Sequence, residues 1–197
     1  MKGCRSLAID EIAKVSRSFS GRYAVRDKAL FVLGCCSGLR ISELLSIKVG
    51  DVIEPTGLVG DRVYIRRQST KGRREGRSIL LHAAARDALV DWLAELEGRG
   101  PLRPDAFVFH GQKGAWRPMT TTHAWRILKD AFIQAGLSGK VATHSMRKSF
   151  AASMYHGLGG DLVATQQALG HANVNSTISY LSVSQERIDA AIMQMTV

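Results

Sequence analysis

Leu169–Leu181, LGHANVNSTISYL, admits two readings, and the choice between them decides the fold. In the first, Gly170 is the turn of a helix-turn-helix and a helix from Asn175 lies in a nucleic-acid groove. In the second, His171 and Tyr180 are two reactive groups on either side of a short connector. The stretch is poor as a recognition helix. Val174, Ile178 and Leu181 claim core positions, which leaves only Asn173, Asn175 and Ser176 to read base edges.

Composition narrows the field. A chain of 197 residues makes one good-sized domain or two small ones. With 45% hydrophobic and 22% charged residues it has an ordinary globular balance. It has no apolar run of the length a membrane span needs, about 18 residues, and the start, MKGCRSLAIDEI, has neither the apolar core nor the cleavage site of a secretory signal. The cysteines are odd in number, and adjacent Cys35 and Cys36 fall in an apolar helical pattern. They read as small buried residues in a reducing compartment, so a cytoplasmic location is expected. No Cys/His spacing suggests zinc, and no metal site is expected. The net charge of +10 is the informative quantity. It points to a polyanion, because each neutralised phosphate releases counterions; the alternative is a merely soluble basic protein.

Periodicity predicts a mainly helical α+β chain. Helical patterns cover residues 8–19, then YAVRDKALFVLGCCSG up to Gly38, then RISELLSIKV. From Asp51 the character changes. DVIEPTG, DRVYIRR and GRSILL are β-branched segments separated by Pro, Gly and basic turns, and they predict a small three-stranded antiparallel meander. STKGRREG is the cationic hairpin between the last two strands. Helices return in AAARDALVDWLAEL, in MTTTHAWRILKDAFIQAG with Thr120 or Thr121 as cap and Gly136 as stop, and in THSMRKSFAASMYHG with Thr143 as N-cap. DLVATQQALG, NSTISYL and SQERIDAAIMQM complete the set. No linker divides the chain, so 1–197 is expected to form a single catalytic domain, with residues 1–20 as an N-terminal segment and 183–197 as a C-terminal helix.

Several residues carry chemistry, and each has a plainer reading. Arg40 begins a helix and Glu43 follows on the same face, as a catalytic pair would or as a structural salt bridge would. His144 and Arg147 share that spacing, beside an apolar stripe of Met146, Phe150 and Met154. Lys71, with Arg73 and Arg74 in the hairpin, is a solvated turn, a phosphate contact, or a proton donor whose pKa neighbouring cations lower. Tyr180 is an amphipathic filler or a nucleophile. Gathered in one place, the arginines would hold the non-bridging oxygens of a phosphodiester, the histidines would add hydrogen bonds, the lysine would protonate a leaving oxygen and the tyrosine would attack. The carboxylate cluster of a two-metal nuclease is missing from the sequence.

The ordered set SGLRISELLSIKVGDV, STKGRREGRSILL, THSMRKSFAASMY and LGHANVNSTISYL resembles the catalytic domain of the tyrosine recombinases, which include phage integrases, Xer-type resolvases and fimbrial invertases. The resemblance runs from about Leu7 to Tyr180. It implies that Arg40 is the first catalytic arginine with Glu43 as its support, that Lys71 is the general acid, that His144 and Arg147 are the His-x-x-Arg box, that His171 is the second histidine and that Tyr180 is the nucleophile. Attack by Tyr180 would leave a 3′-phosphotyrosyl link and free a 5′-hydroxyl. The ester stores the bond energy, so no cofactor is expected. Lys148 stands where the family often has histidine, and is an extra phosphate contact or a tolerated variation. The family's usual N-terminal DNA-clamping (core-binding) domain is not expected ahead of this region, as in the short fimbrial invertases.

The resemblance implies a site-specific DNA recombinase acting in DNA integration, excision or inversion on double-stranded DNA. It implies self-association as a tetrameric synapse, accessory DNA-bending proteins, nucleoid association, and a C-terminal helix that docks either in trans or on its own domain. The competing readings are a DNA-relaxing relative with the same chemistry and a non-catalytic basic DNA-binding protein or accessory factor of the same fold.

Overall fold

The computed structural model describes residues 3–66, 76–111, 114–170, 174–178, 180, 189 and 192–195. In chain order the elements are α1 (Ile9–Ser18), α2 (Ala24–Ser37), α3 (Ile41–Leu45), a 3-10 turn (Val49–Asp51), β1 (Arg62–Ile65), β2 (Arg77–Leu80), α4 (Ala83–Glu97), α5 (Thr121–Gln134), α6 (Thr143–Gly157), α7 (Leu162–Leu169) and α8 (Val174–Ile178). They fall into two compact units, Met1–Phe150 and Ala151–Val197. The fold is mainly helical with a small antiparallel sheet, as the periodicity predicts.

The first unit is organised around α2. Ala29, Leu30, Phe31, Leu33 and Cys35 are all buried, so the helix is apolar around most of its circumference and forms the centre of the core. α4 packs along it, with Trp92 fully buried and its indole N–H donating to the Val108 carbonyl at 2.8 Å. α5 presents Ala124, Leu128, Ala131 and Phe132, one helical stripe, and Phe132 meets Phe31 edge-on at 6.2 Å. Truncating a ring at this depth, as in Phe31→Ala, costs about 3–5 kcal/mol. Cys4 and Cys35 are buried, Cys36 is half-buried and all three are free thiols. Burial pushes the Cys35 thiol well above its ordinary pKa, in line with a packing role.

The sheet corrects one expectation. β1 and β2 pair antiparallel, Arg62 with Leu80 through Ile65 with Arg77, but DVIEPTG does not add a third strand among the described residues. It folds on itself instead. Asp51 closes the 3-10 turn by accepting the Lys48 N–H at 2.9 Å, and Gly57 turns the chain at φ 83°. Ile53 then forms an isolated bridge with Val59. Pro55 has no N–H to give a ladder, which favours this local closure over strand pairing.

The caps largely follow the sequence. Thr120 accepts the His123 N–H at 3.1 Å to start α5, and Gly136 at φ 69° follows its end. α6 starts one residue earlier than its sequence suggests. Thr143 is already helical, and the cap is made in reverse, with Ser145 Oγ accepting the Ala142 N–H at 3.0 Å. In the second unit Asp161 accepts the N–H groups of Val163 and Ala164 at 2.8 and 2.9 Å, which nucleates α7. Gly170 then ends it in the left-handed conformation, and α8 packs on α7. The hairpin tip and most of the expected C-terminal helix lie outside the described residues.

Candidate active site

One glycine within α2 and one at its C-terminal cap let the site form. Gly34 and Gly38 are four residues apart and so share a face. A Cβ on Gly34 would stand 2.7 Å from Met146 Sδ, and one on Gly38 would stand 2.3 Å from the Phe150 ring. Met146 and Phe150 are themselves four apart on α6, so the two helices touch backbone to side chain along matching stripes. Gly38 also has φ 61°, a left-handed conformation that ends α2 and turns the chain into α3.

That turn is where the first arginine sits. Arg40 is the N-cap of α3, and its backbone N–H donates to Glu43 Oε2 at 2.7 Å. The second carboxylate oxygen, Oε1, lies 3.6 Å from Arg40 Nη1 and 3.6 Å from Arg77 Nη2. The Glu43 side chain is only 2% exposed and that of Arg40 is 40% exposed. A buried anion thus anchors a cation that reaches solvent, as an arginine that must meet a substrate phosphate requires.

Arg147 approaches the same turn from α6. It is 1% exposed, and its Nη1 donates to the carbonyl of Gly38, two residues before Arg40. His144, one turn earlier on α6, is held by burial and by the charges of Arg147, Arg40 and Lys148, in that order, below its ordinary pKa. It is therefore neutral at pH 7, with one ring nitrogen as donor and the other as acceptor. The structure brings Arg40, Glu43, His144 and Arg147 together, with Lys148 next to the pair on α6.

The remaining expected site residues are distributed differently. Lys71, Arg73, Arg74 and His171 lie outside the described residues. Tyr180 belongs to the second unit, two residues past the α8 end and half-buried, with its backbone N–H donating to the Thr177 carbonyl at 2.9 Å. Two contributors escaped the sequence reading. Arg77 reads as one more hairpin cation, yet it is a β2 residue, 13% exposed, reaching Glu43. Gly34 reads as an ordinary interior glycine; its four-residue spacing from Gly38 was the available signal.

Comparison with known proteins identifies the family and the fold. Residues 6–187 match the model of the phage integrase family. The chain is 31% identical over 189 residues to the tyrosine recombinase XerD of Halalkalibacterium halodurans, covering 93% of this chain and 59% of that protein. It is 32% identical over 168 residues to the tyrosine recombinase XerC of Bacillus pumilus, covering 85% and 53%. The chain thus spans between half and two thirds of the length of these relatives. The crystal structure of the XerA recombinase shares the fold at a TM-score of 0.77 and 22% identity, over 98% of this chain and 65% of that one. The XerH site-specific recombinase, in its post-cleavage complex with a palindromic difH substrate, aligns with a TM-score of 0.76 and 27% identity, over 96% and 52%. On its motifs, its fold and its match over nearly its whole length, this chain belongs to the phage integrase family.

Proposed function

We propose that this chain is the catalytic domain of a site-specific DNA recombinase that cuts and rejoins strands through a covalent phosphotyrosine. The observation that carries the reading is the convergence of Arg40, Arg147 and a neutral His144 at one turn, with Glu43 buried behind them. Two guanidiniums provide paired donors for the non-bridging oxygens of a phosphodiester, where charge grows in the transition state. Tyr180 is the nucleophile. Its phenolic oxygen bonds to phosphorus as the bond to the 5′-oxygen breaks; neutral His144 is available to take the phenolic proton, and Lys71 gives one to the departing 5′-oxygen. His171 adds a hydrogen bond to the phosphoryl group. A 5′-hydroxyl from a partner strand reverses the step, so the ester conserves the bond energy and no cofactor is consumed.

The substrate is double-stranded DNA, bound through dispersed cations that include Arg73, Arg74 and Lys148, in keeping with the net charge of +10. Strand exchange between two duplexes requires several protomers, a tetrameric synapse in which the C-terminal helix docks on a neighbour, with DNA-bending proteins assisting in the nucleoid. A duplex nicked beside its cleavage position lets the short product diffuse away and traps the covalent adduct. Tyr180→Phe should abolish that adduct and leave DNA binding intact, whereas a merely DNA-binding protein would form no adduct in either form.

A further inference from the structure

The first unit holds a second cleft, at the opposite end of α2 from Arg40. Its walls carry Arg22, Tyr23, Arg99, Arg103, His110 and Trp116, and it encloses about 470 Å³. Arg22 and Tyr23 precede the helix and Gly38 follows it, so the 14 residues of α2 separate this cleft from the Arg40 turn. That is about 21 Å at 1.5 Å per residue. None of the expected catalytic residues among those described lines it.

The chemistry of the walls is specific. The Arg103 guanidinium stands 4.5 Å from the centre of the Trp116 ring, and that indole is 53% exposed. Arg22 and Arg99 stand 5.6 and 4.8 Å from the Tyr23 ring. Arg99 is neutralised by Glu95, and Arg103 makes a loose, exposed contact with Asp105 at 3.9 Å. Arg22 has no carboxylate partner among the described residues. The cleft therefore has a cationic rim next to a half-exposed indole. His110 forms part of the cleft floor. Its Nδ1 is satisfied by the Gly111 carbonyl at 2.9 Å, and its buried Nε2 has no hydrogen-bond partner among the described residues.

We propose that this cleft binds a nucleoside phosphate, either a free nucleotide or a single unpaired nucleotide of DNA. The base stacks on the exposed surface of Trp116, and the phosphate meets Arg22 and Arg103. The volume falls in the range of small-molecule sites, about 300–1,000 Å³, and suits one nucleotide. An inorganic anion would use the rim and ignore the aromatic face.

Titration of the full chain with dAMP, followed by tryptophan fluorescence and calorimetry, tests this directly. The expected result is saturable binding with a Kd below about 1 mM, weakened at least about tenfold by Trp116→Ala and by Arg22→Ala. Covalent trapping on the nicked duplex should be unchanged in both variants, since neither residue belongs to the catalytic set. Inorganic phosphate should bind at least about tenfold more weakly than dAMP. To separate the two sources, a duplex with one extruded adenine is compared with the same duplex fully paired. Trp116-dependent preference for the extruded base assigns the site to DNA, and dAMP binding without that preference assigns it to a free nucleotide. Phosphate binding as tightly as dAMP, insensitivity to Trp116→Ala, or no saturation by dAMP would each overturn the proposal. Failure of covalent trapping in the unaltered chain would instead count against the recombinase reading and leave the cleft measurement standing.

Discussion

Glu43 and Arg77 meet 3.6 Å apart, one from the helix that begins at Arg40 and the other from the strand that leaves the cationic hairpin. The contact ties the hairpin's base to the arginine turn. With 2% of the Glu43 side chain and 13% of Arg77 exposed, the pair is shielded from solvent, and removing one member leaves the other's charge buried. Glu43→Ala should therefore cost about 3 kcal/mol of stability, measured by urea unfolding. Glu43→Gln retains an acceptor for the Arg40 N–H and should fold, yet lose about hundredfold in cleavage rate as Arg40 drifts from position. Unaltered cleavage in Glu43→Gln would show that the carboxylate serves stability alone.

Gly38 performs two tasks, a left-handed turn at φ 61° and contact with the Phe150 ring. Gly38→Ala must strain the backbone and push a ring that stands 2.3 Å from the new carbon, at a combined cost of about 2–4 kcal/mol. Because the Gly38 carbonyl also accepts from Arg147, cleavage should fall further than the lost folded fraction explains. Thermal melts and single-turnover cleavage on the same preparation check both effects.

His144 titrates below its ordinary value because burial and three cations disfavour its charged form. Arg40→Ala removes one of those cations, so the His144 pKa should rise, read by NMR titration of the imidazole protons. The stability sign follows. The unfolded chain takes up this proton first, near pH 6.5, so His144 costs stability as pH falls through that value and has no effect above it. A fall in the His144 pKa on Arg40→Ala would mean that the two side chains are not neighbours in solution.

Arg5 clamps the N-terminal segment to α1 through Glu11, with nitrogen–oxygen distances of 2.7 and 2.6 Å. The hydrogen bonds from Arg5 hold the Glu11 carboxyl at about 2, against an ordinary 4.5. A depressed carboxylate stabilises above its unfolded pKa, and the contribution fades as pH falls from about 4.5 toward 2. The pair is partly solvent-exposed, so Glu11→Gln should cost only about 1 kcal/mol at pH 7, and the variant and parent curves should converge near pH 2. Parallel curves across that range would remove the clamp from the account.

Much of this was legible from residue order. The helices of α2, α4 and α5 announce themselves by apolar period and by Gly38, Thr120 and Gly136 at their ends, because capping and periodicity are local physics. Arg40 with Glu43, and His144 with Arg147, were legible as same-face pairs for the same reason. The missing third strand was not. Asp51 and Pro55 decide between local closure and pairing, and that balance depends on hydrogen bonds to neighbours several residues away. Arg77 was obscured because its partner is 34 positions distant, and no spacing rule links a strand residue to a helix carboxylate. The Arg103–Trp116 face needed two loop residues to meet, which composition does not reveal.

The central claim is that the phenol of Tyr180 becomes the bond to DNA. Digestion of the complex trapped on a nicked duplex, followed by mass spectrometry of the DNA-linked peptide, tests it most directly. The account predicts one modified peptide, carrying a 3′-phosphonucleotide on Tyr180 and absent from Tyr180→Phe. A nucleotide on any other residue, or an adduct that survives Tyr180→Phe, would contradict it.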